Sequence, residues 1–159
     1  MAKAIKTNVL RHLDALKIPY ETREYTVDDD NFDGKLVAEK VDLPAGMIYK
    51  TLVLVGDTLP HLVCVIPVEL ELDLKAAARA AGCKSVHMLP QKDLLPLTGY
   101  LRGGCSPIGM KKQFPTVFHE TALLYGAICV SAGKIGHQVE CDPNALIALL
   151  RAKTADVIV

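Results

Sequence analysis

Three short stretches of this 159-residue sequence carry groups that could do chemistry. In Tyr49-Lys50-Thr51-Leu52 a lysine interrupts an otherwise apolar, β-rich run. Such a lysine either snorkels from a strand edge to solvent or aims a cation at a phosphate or carboxylate, with the Thr51 hydroxyl as a second donor. The run Gly103-Gly104-Cys105-Ser106-Pro107-Ile108-Gly109-Met110-Lys111-Lys112 is dense in glycine. Glycines let a backbone approach a ligand closely and present unpaired N–H groups, which can stabilise a developing oxyanion. An ordinary tight loop has the same composition. Ser131-Ala132-Gly133-Lys134-Ile135-Gly136 puts a lysine on a turn behind a strand, a pattern shared by many structural turns. A thiol nucleophile at Cys105 would need a base nearby and a lowered pKa, and no histidine adjoins it in sequence.

Other chemistries lack their signatures. There is no G-x-G-x-x-G after a strand, no G-x-x-x-x-G-K-[ST] and no G-x-S-x-G elbow. His12, His61, His87, His119 and His137 are scattered without metal-ligand spacing. Cys64, Cys83, Cys105, Cys129 and Cys141 form an odd set without a C-x-x-C pair, which reads as a reducing compartment and no zinc site. No metal and no cofactor are expected.

The elements that must position these groups follow from periodicity. Ile5, Val9, Leu13 and Leu16 recur at helical spacing, and Ile18-Pro19 stops that helix. Tyr20 to Val27 alternates as a strand, followed by the acidic loop Asp28-Asp29-Asp30-Asn31 with Phe32, and Leu36, Val37 and Val41 suggest a short helix. Residues 48–55 and 61–67 read as a hairpin around Gly56-Asp57. Asp73 can cap a helix through Ala81 that Gly82 ends. Residues 86–88 are a strand candidate, Pro90 to Leu95 a helical turn, and Thr98 to Gly109 a loop. Thr116 to His119 and Ala127 to Ser131 look like buried strands, with another beginning or ending at Val139. Asp142-Pro143 opens a last helix whose buried face is Leu146, Leu149 and Leu150.

The chain has 18 basic and 18 acidic side chains, so it cannot coat nucleic acid along its length, which takes a large positive excess. A local basic mouth that receives one end of a nucleic acid remains compatible with that balance. Half of the residues (50%) are hydrophobic and aromatics are scarce, with no Trp, so the core must be mostly aliphatic. No signal-peptide pattern opens the sequence and no apolar run approaches the about 18 residues that span a bilayer; a cytoplasmic protein without membrane contact is expected. No repeat or linker appears, so residues 1–159 read as one α+β (mixed α/β) domain with a mixed, largely antiparallel sheet and flanking helices.

Taken in order, Tyr49-Lys50-Thr51-Leu52, then Leu74-Lys75 behind an L-D pair, then Thr98-Gly99-Tyr100-Leu101 leading into Gly103-Gly104-x-Ser106-Pro107-x-Gly109-x-Lys111-Lys112, then Ser131-x-Gly133-Lys134, the chain resembles the YbaK/EbsC family nearly end to end. The resemblance implies a partly barrel-like sheet, related to the editing domain of bacterial prolyl-tRNA synthetases. It implies a metal-independent, trans-editing aminoacyl-tRNA deacylase, a hydrolase or lyase that removes mischarged Cys from tRNA(Pro). The substrate's own thiol would attack its ester carbonyl, leaving a cyclic thiolactone. Under that resemblance Lys50 holds the phosphate of the terminal adenosine, and Gly103 and Gly104 offer N–H groups to the oxyanion. Tyr20, Phe32, Thr51, Ser106, Pro107, Ser131 and Gly133 shape the substrate pocket. Arg102, Lys111, Lys112 and Lys134 meet the acceptor end of the aminoacyl-tRNA, and a complex with prolyl-tRNA synthetase is a further expectation. Where relatives commonly read G-K-R-G-L-D-I-E, this chain has Gly133-Lys134-Ile135-Gly136-His137-Gln138-Val139-Glu140, so Ile135 and Gln138 stand in place of arginine and aspartate. Two alternatives follow: editing of another small amino acid such as alanine, and a non-catalytic regulatory or tRNA-binding module on the same fold.

Overall fold

A computed structural model describes residues 6–25 and 43–159. The expected acidic loop, Phe32 and the short helix behind it lie outside the described residues, as does Ile5. Helix α1 (Asn8–Ala15) starts where the Thr7 hydroxyl accepts the Leu10 N–H, and it buries Val9, Leu10 and Leu13. Leu16 is not part of its buried stripe. The helix has ended at Ala15, and Leu16 is 55% exposed. Strand β1 (Tyr20–Glu24) follows.

Strands β2 (Tyr49–Gly56) and β3 (Leu62–Pro67) form the expected antiparallel hairpin, and the Gly56 N–H donates to the Leu59 carbonyl in its turn. The Asp73 carboxylate accepts the Lys75 and Ala76 N–H groups at the start of α2 (Leu74–Ala81), and Gly82 ends it at φ 76°. Strand β4 (Val86–Met88) leads through a 3-10 turn (Gln91–Asp93) into α3 (Leu94–Thr98). The helix runs on to Thr98 although Pro96 lies inside it. A proline in the first turn costs nothing there, because its missing N–H would have no helical acceptor. Strands β5 (Thr116–His119), β6 (Ile128–Ser131) and β7 (His137–Cys141), helix α4 (Pro143–Leu150) and strand β8 (Lys153–Ala155) complete the chain.

The strands make two sheets among the described residues, ordered β1-β7-β6 and β4-β2-β3-β5-β8. The first is antiparallel throughout; in the second, β3-β5 and β5-β8 run parallel. The α+β reading with a mixed, largely antiparallel sheet therefore holds. The barrel-like expectation needs correction, since neither sheet closes on itself. They meet at one parallel bridge, Ile48 with Cys129. One core packs α1 and α4 against the Tyr49 and Val53 side of β2; a second packs α2 against the Leu54 side. Side chains alternate along a strand, so Lys50 points away from the first core and Thr51 toward it.

One edge of β2 serves two neighbours. Its C-terminal half pairs with β4, with Leu54 opposite Met88, and its N-terminal end meets β6 at the Ile48 bridge. The last hydrogen bond on the β4 side is from the Leu89 N–H to the Val53 carbonyl. Pro90, which has no N–H, then turns the chain away. Residues 50–52 consequently have a strand partner on the β3 side only, among the described residues.

Candidate functional site

The three chemistry-bearing stretches converge where the two sheets meet. Across the first sheet, Arg23 of β1 lies opposite Gln138 of β7, which lies opposite Ser131 of β6. Paired residues project to the same side. Ile48 bridges Cys129, so Lys50, two residues along β2, projects to the same side as Ser131, two residues along β6, although no bridge joins those two. Arg23, Gln138 and Ser131 thus form a row across the first sheet, with Lys50 of β2 on the same side beyond it. The row behind it holds Glu140, Cys129 and Ile48, with the Tyr25 side chain packed against the last two.

With Lys50 the row combines a partly desolvated cation with polar atoms that have spare hydrogen-bonding capacity among the described residues. Burial pulls the Lys50 ammonium below the usual lysine range, against the attraction of Glu71. Gln138 is 6% exposed and its Oε1 has no hydrogen-bond partner among the described residues; the same is true of Arg23 Nε. Arg23 Nη2 lies 3.4 Å from Glu140 Oε1, so the nearby carboxylate is already engaged. The Ser131 hydroxyl accepts the Gly133 N–H at 3.1 Å, which leaves its own proton free to donate.

Around the open edge of β2 lies a cavity of about 290 Å³, lined by Thr51, Val53, Leu89, Leu94, Gly103 and Cys105 among others. The Thr51 Oγ1 is buried and unpartnered among the described residues. The glycine loop reaches this edge because Gly104 packs beneath the turn between β6 and β7. A Cβ on Gly104 would come within 3.0 Å of the Ile135 nitrogen. The Gly104 N–H donates to the Leu101 carbonyl at 2.9 Å and is not available to an oxyanion, which corrects the expectation for that group. Gly103, at φ 87°, lines the cavity directly.

Other expected site residues have different placements. Tyr20 faces α1, where its hydroxyl donates to Asp14 Oδ1 at 2.8 Å and accepts from Lys6. Tyr25, not singled out in the sequence, is the tyrosine near the Lys50 face. Ser106 is fully buried and accepts the Ile108 N–H at 3.3 Å, and Pro107 is buried beside it, so both shape the loop from within. Gly133, at φ 92°, leaves room for Val9 and Tyr100. Burial pushes the Cys105 thiol up to about 12, so it is not a thiolate at neutral pH. Arg102, Lys111, Lys112 and Lys134 are exposed on the loop and on the facing turn. Arg102 donates to Gln91 Oε1, and the Lys111 ammonium donates to the Pro96 carbonyl. Phe32 lies outside the described residues.

The family model of the aminoacyl-tRNA editing domain matches residues 33–149. The chain is 49% identical over 152 residues to an Enterococcus faecalis (strain ATCC 700802 / V583) protein provisionally named Cys-tRNA(Pro)/Cys-tRNA(Cys) deacylase EbsC, covering 96% of this chain and 93% of that one. Among solved structures it is similar to hypothetical protein APE2540, with a TM-score of 0.86 and 20% identity over 96% of this chain and 100% of that one. A protein described as a candidate trans-editing enzyme for prolyl-tRNA synthetase superposes with a TM-score of 0.81 and 23% identity, over 98% of this chain and 99% of that one. These two likenesses establish the fold.

Proposed function

The chain belongs to the aminoacyl-tRNA editing domain family, and from that premise we propose that it is a trans-editing deacylase that removes cysteine from mischarged tRNA(Pro). The observation that carries this reading is the composition of the row Arg23–Gln138–Ser131 with Lys50 beyond it. It offers cations and neutral polar groups, and among the described residues no carboxylate or imidazole stands in it; Glu140, which contacts Arg23, belongs to the row behind, and Glu71 acts on Lys50 from outside it. A site so composed suits a substrate that brings its own nucleophile.

The step balances without a group from the protein. The cysteine sulfur attacks the ester carbonyl carbon and a C–S bond forms. The C–O bond to the ribose breaks, and the thiol proton ends on the departing ribose hydroxyl. The protein's part is to hold the two ends together, and proximity alone can supply a large part of such a rate. Lys50 anchors phosphate, the Gly103 N–H faces the oxyanion, and Thr51, Ser131 and Gln138 position the aminoacyl group. Arg102, Lys111, Lys112 and Lys134 meet the acceptor end. A domain with equal numbers of acidic and basic side chains holds nucleic acid weakly. A complex with prolyl-tRNA synthetase would add to the selection of tRNA.

The test is to follow ester loss from Cys-, Ala- and Ser-tRNA(Pro) with the native chain and with Lys50→Ala. Rapid loss of cysteine alone, reduced in the variant, is the expected result. Ester stability in all three substrates would reject the deacylase and favour a binding module.

A further inference from the structure

We propose that two contacts, Tyr49 with Thr121 and Gly46 with Tyr125, clamp the entry to β2 where the two sheets meet, making Tyr49, Thr121 and Tyr125 positioning residues for Lys50. The catalytic consequence rests on the reading of Lys50 as the phosphate anchor; the clamp itself rests on geometry. Among the described residues the sheets share a single bridge, Ile48 with Cys129. One bridge is a weak hold on how β2 lies against β6. Lys50 stands two residues beyond it, so a shift of β2 moves the ammonium relative to Ser131 and Gln138 directly.

The link from β5 to β6 crosses from the second sheet to the first and carries a 3-10 turn, Glu120–Leu124. It meets the entry to β2 at two points. The Thr121 hydroxyl lies 2.7 Å from the Tyr49 hydroxyl, a hydrogen bond in which either oxygen can donate, and Tyr49 is 2% exposed. Tyr125, just past the turn, sets its hydroxyl against Gly46 in the 3-10 turn Ala45–Met47. A Cβ at Gly46 would stand 2.6 Å from Tyr125 Oη, yet 3.6 Å from the Cζ that bears it. The hydroxyl alone therefore excludes a side chain there. Gly46 and Tyr49 flank Ile48, so the two contacts hold the chain on both sides of the bridge. Side chains alternate along a strand, so Tyr49 is tethered on one face of β2 while Lys50 leaves from the other. Neither Thr121 nor Tyr125 has to touch substrate to act, because a misplacement of about 1 Å can cost about a hundredfold in rate.

The experiment combines two pairs of substitutions in the full chain with thermal melts and deacylation of Cys-tRNA(Pro). Tyr49→Phe with Thr121→Val removes both partners of the hydrogen bond and leaves no polar atom of the pair unmatched, so Tm should stay close to native. Its kcat/KM should nonetheless fall at least about fivefold. In a Lys50→Met background the same pair should change kcat/KM by less than about twofold, because residues that act through one group are not additive. Gly46→Ala should cause a comparable loss, and adding Tyr125→Phe should restore activity by removing the oxygen that the new methyl meets. Native kcat/KM in the first pair, an equal loss in the Lys50→Met background, or no recovery in the second pair would overturn the proposal. The Lys50 titration, followed by NMR at its side-chain Cε, needs no substrate. Burial holds this ammonium below the usual lysine range against the attraction of Glu71, and loosening the clamp should move it toward that range. Movement in a chain that cleaves no ester retains the clamp and removes the deacylase. An unmoved midpoint removes the clamp and leaves the deacylase standing.

Discussion

At Lys50 the proposed phosphate contact is set against a cost in stability. Its ammonium is partly desolvated, so its pKa in the folded chain lies below that in the unfolded chain. Protonated Lys50 therefore costs folding free energy at pH values below the folded pKa, and the cost disappears as pH rises toward the unfolded value. Lys50→Met should leave Tm unchanged or raise it, while kcat/KM falls about ten- to a hundredfold through loss of a charge-assisted contact. Paired thermal melts and deacylation assays check this. A lower Tm with full activity would make Lys50 a structural residue. Phosphate binding by Lys50 should also fade with rising pH earlier than an ordinary lysine would allow. Lys50 stands out in the sequence because it interrupts an apolar run. Tyr25 does not, because only the register of β1 against β7 decides which tyrosine shares its face. The occupied Gly104 N–H was equally hidden, since glycine composition says nothing of hydrogen bonds already made.

Among elements, the glycine loop is held by its contact with the turn between β6 and β7. A Cβ at Gly104 would stand 3.0 Å from the Ile135 nitrogen and 3.3 Å from the Lys134 carbonyl carbon, both backbone atoms that cannot swing aside. Gly104→Ala should destabilise by about 1–3 kcal/mol and displace Gly103 from the cavity. Its loss of kcat/KM should persist at temperatures where the variant is fully folded, as circular dichroism and assays at matched temperatures would reveal. Activity restored on cooling would limit the glycine to stability. The hairpin and the Asp73 and Asp142 caps were legible because each is a local code, written within a few residues. The open edge of β2 was not. It arises because β4 and β6, far apart in sequence, share one side of a strand, and strand order is not a local property. Strand β8 escaped notice for the same reason: three residues, two of them exposed, carry no burial pattern of their own.

For the whole molecule, the balance of 18 basic and 18 acidic side chains limits how strongly charge can hold RNA. If Arg102, Lys111, Lys112 and Lys134 each meet one phosphate, log kcat/KM should fall with log salt at a slope no steeper than about −3, at roughly 0.7 for each single-stranded contact. Removing one of these side chains should reduce that slope by about 0.7; an unchanged slope would place that residue away from the RNA. Composition made this bound legible, while the exposure of the four required the fold. The parallel stack β3-β5-β8 bears on how the molecule is made. β5 pairs with β3 across about fifty residues of chain and then waits for residues 153–155 to cover its other side. The Asp73 N–H donates to the Val157 carbonyl and the Val159 N–H to the Glu71 carbonyl, so the segment before α2 is also fastened from that end. A nascent chain therefore leaves the ribosome with the β5 edge bare until residues 153–159 have cleared the exit tunnel. Long-range parallel pairing of this kind closes slowly, and a bare edge invites pairing with other chains meanwhile. Residues 153–159 thereby set how long that edge stays exposed during synthesis.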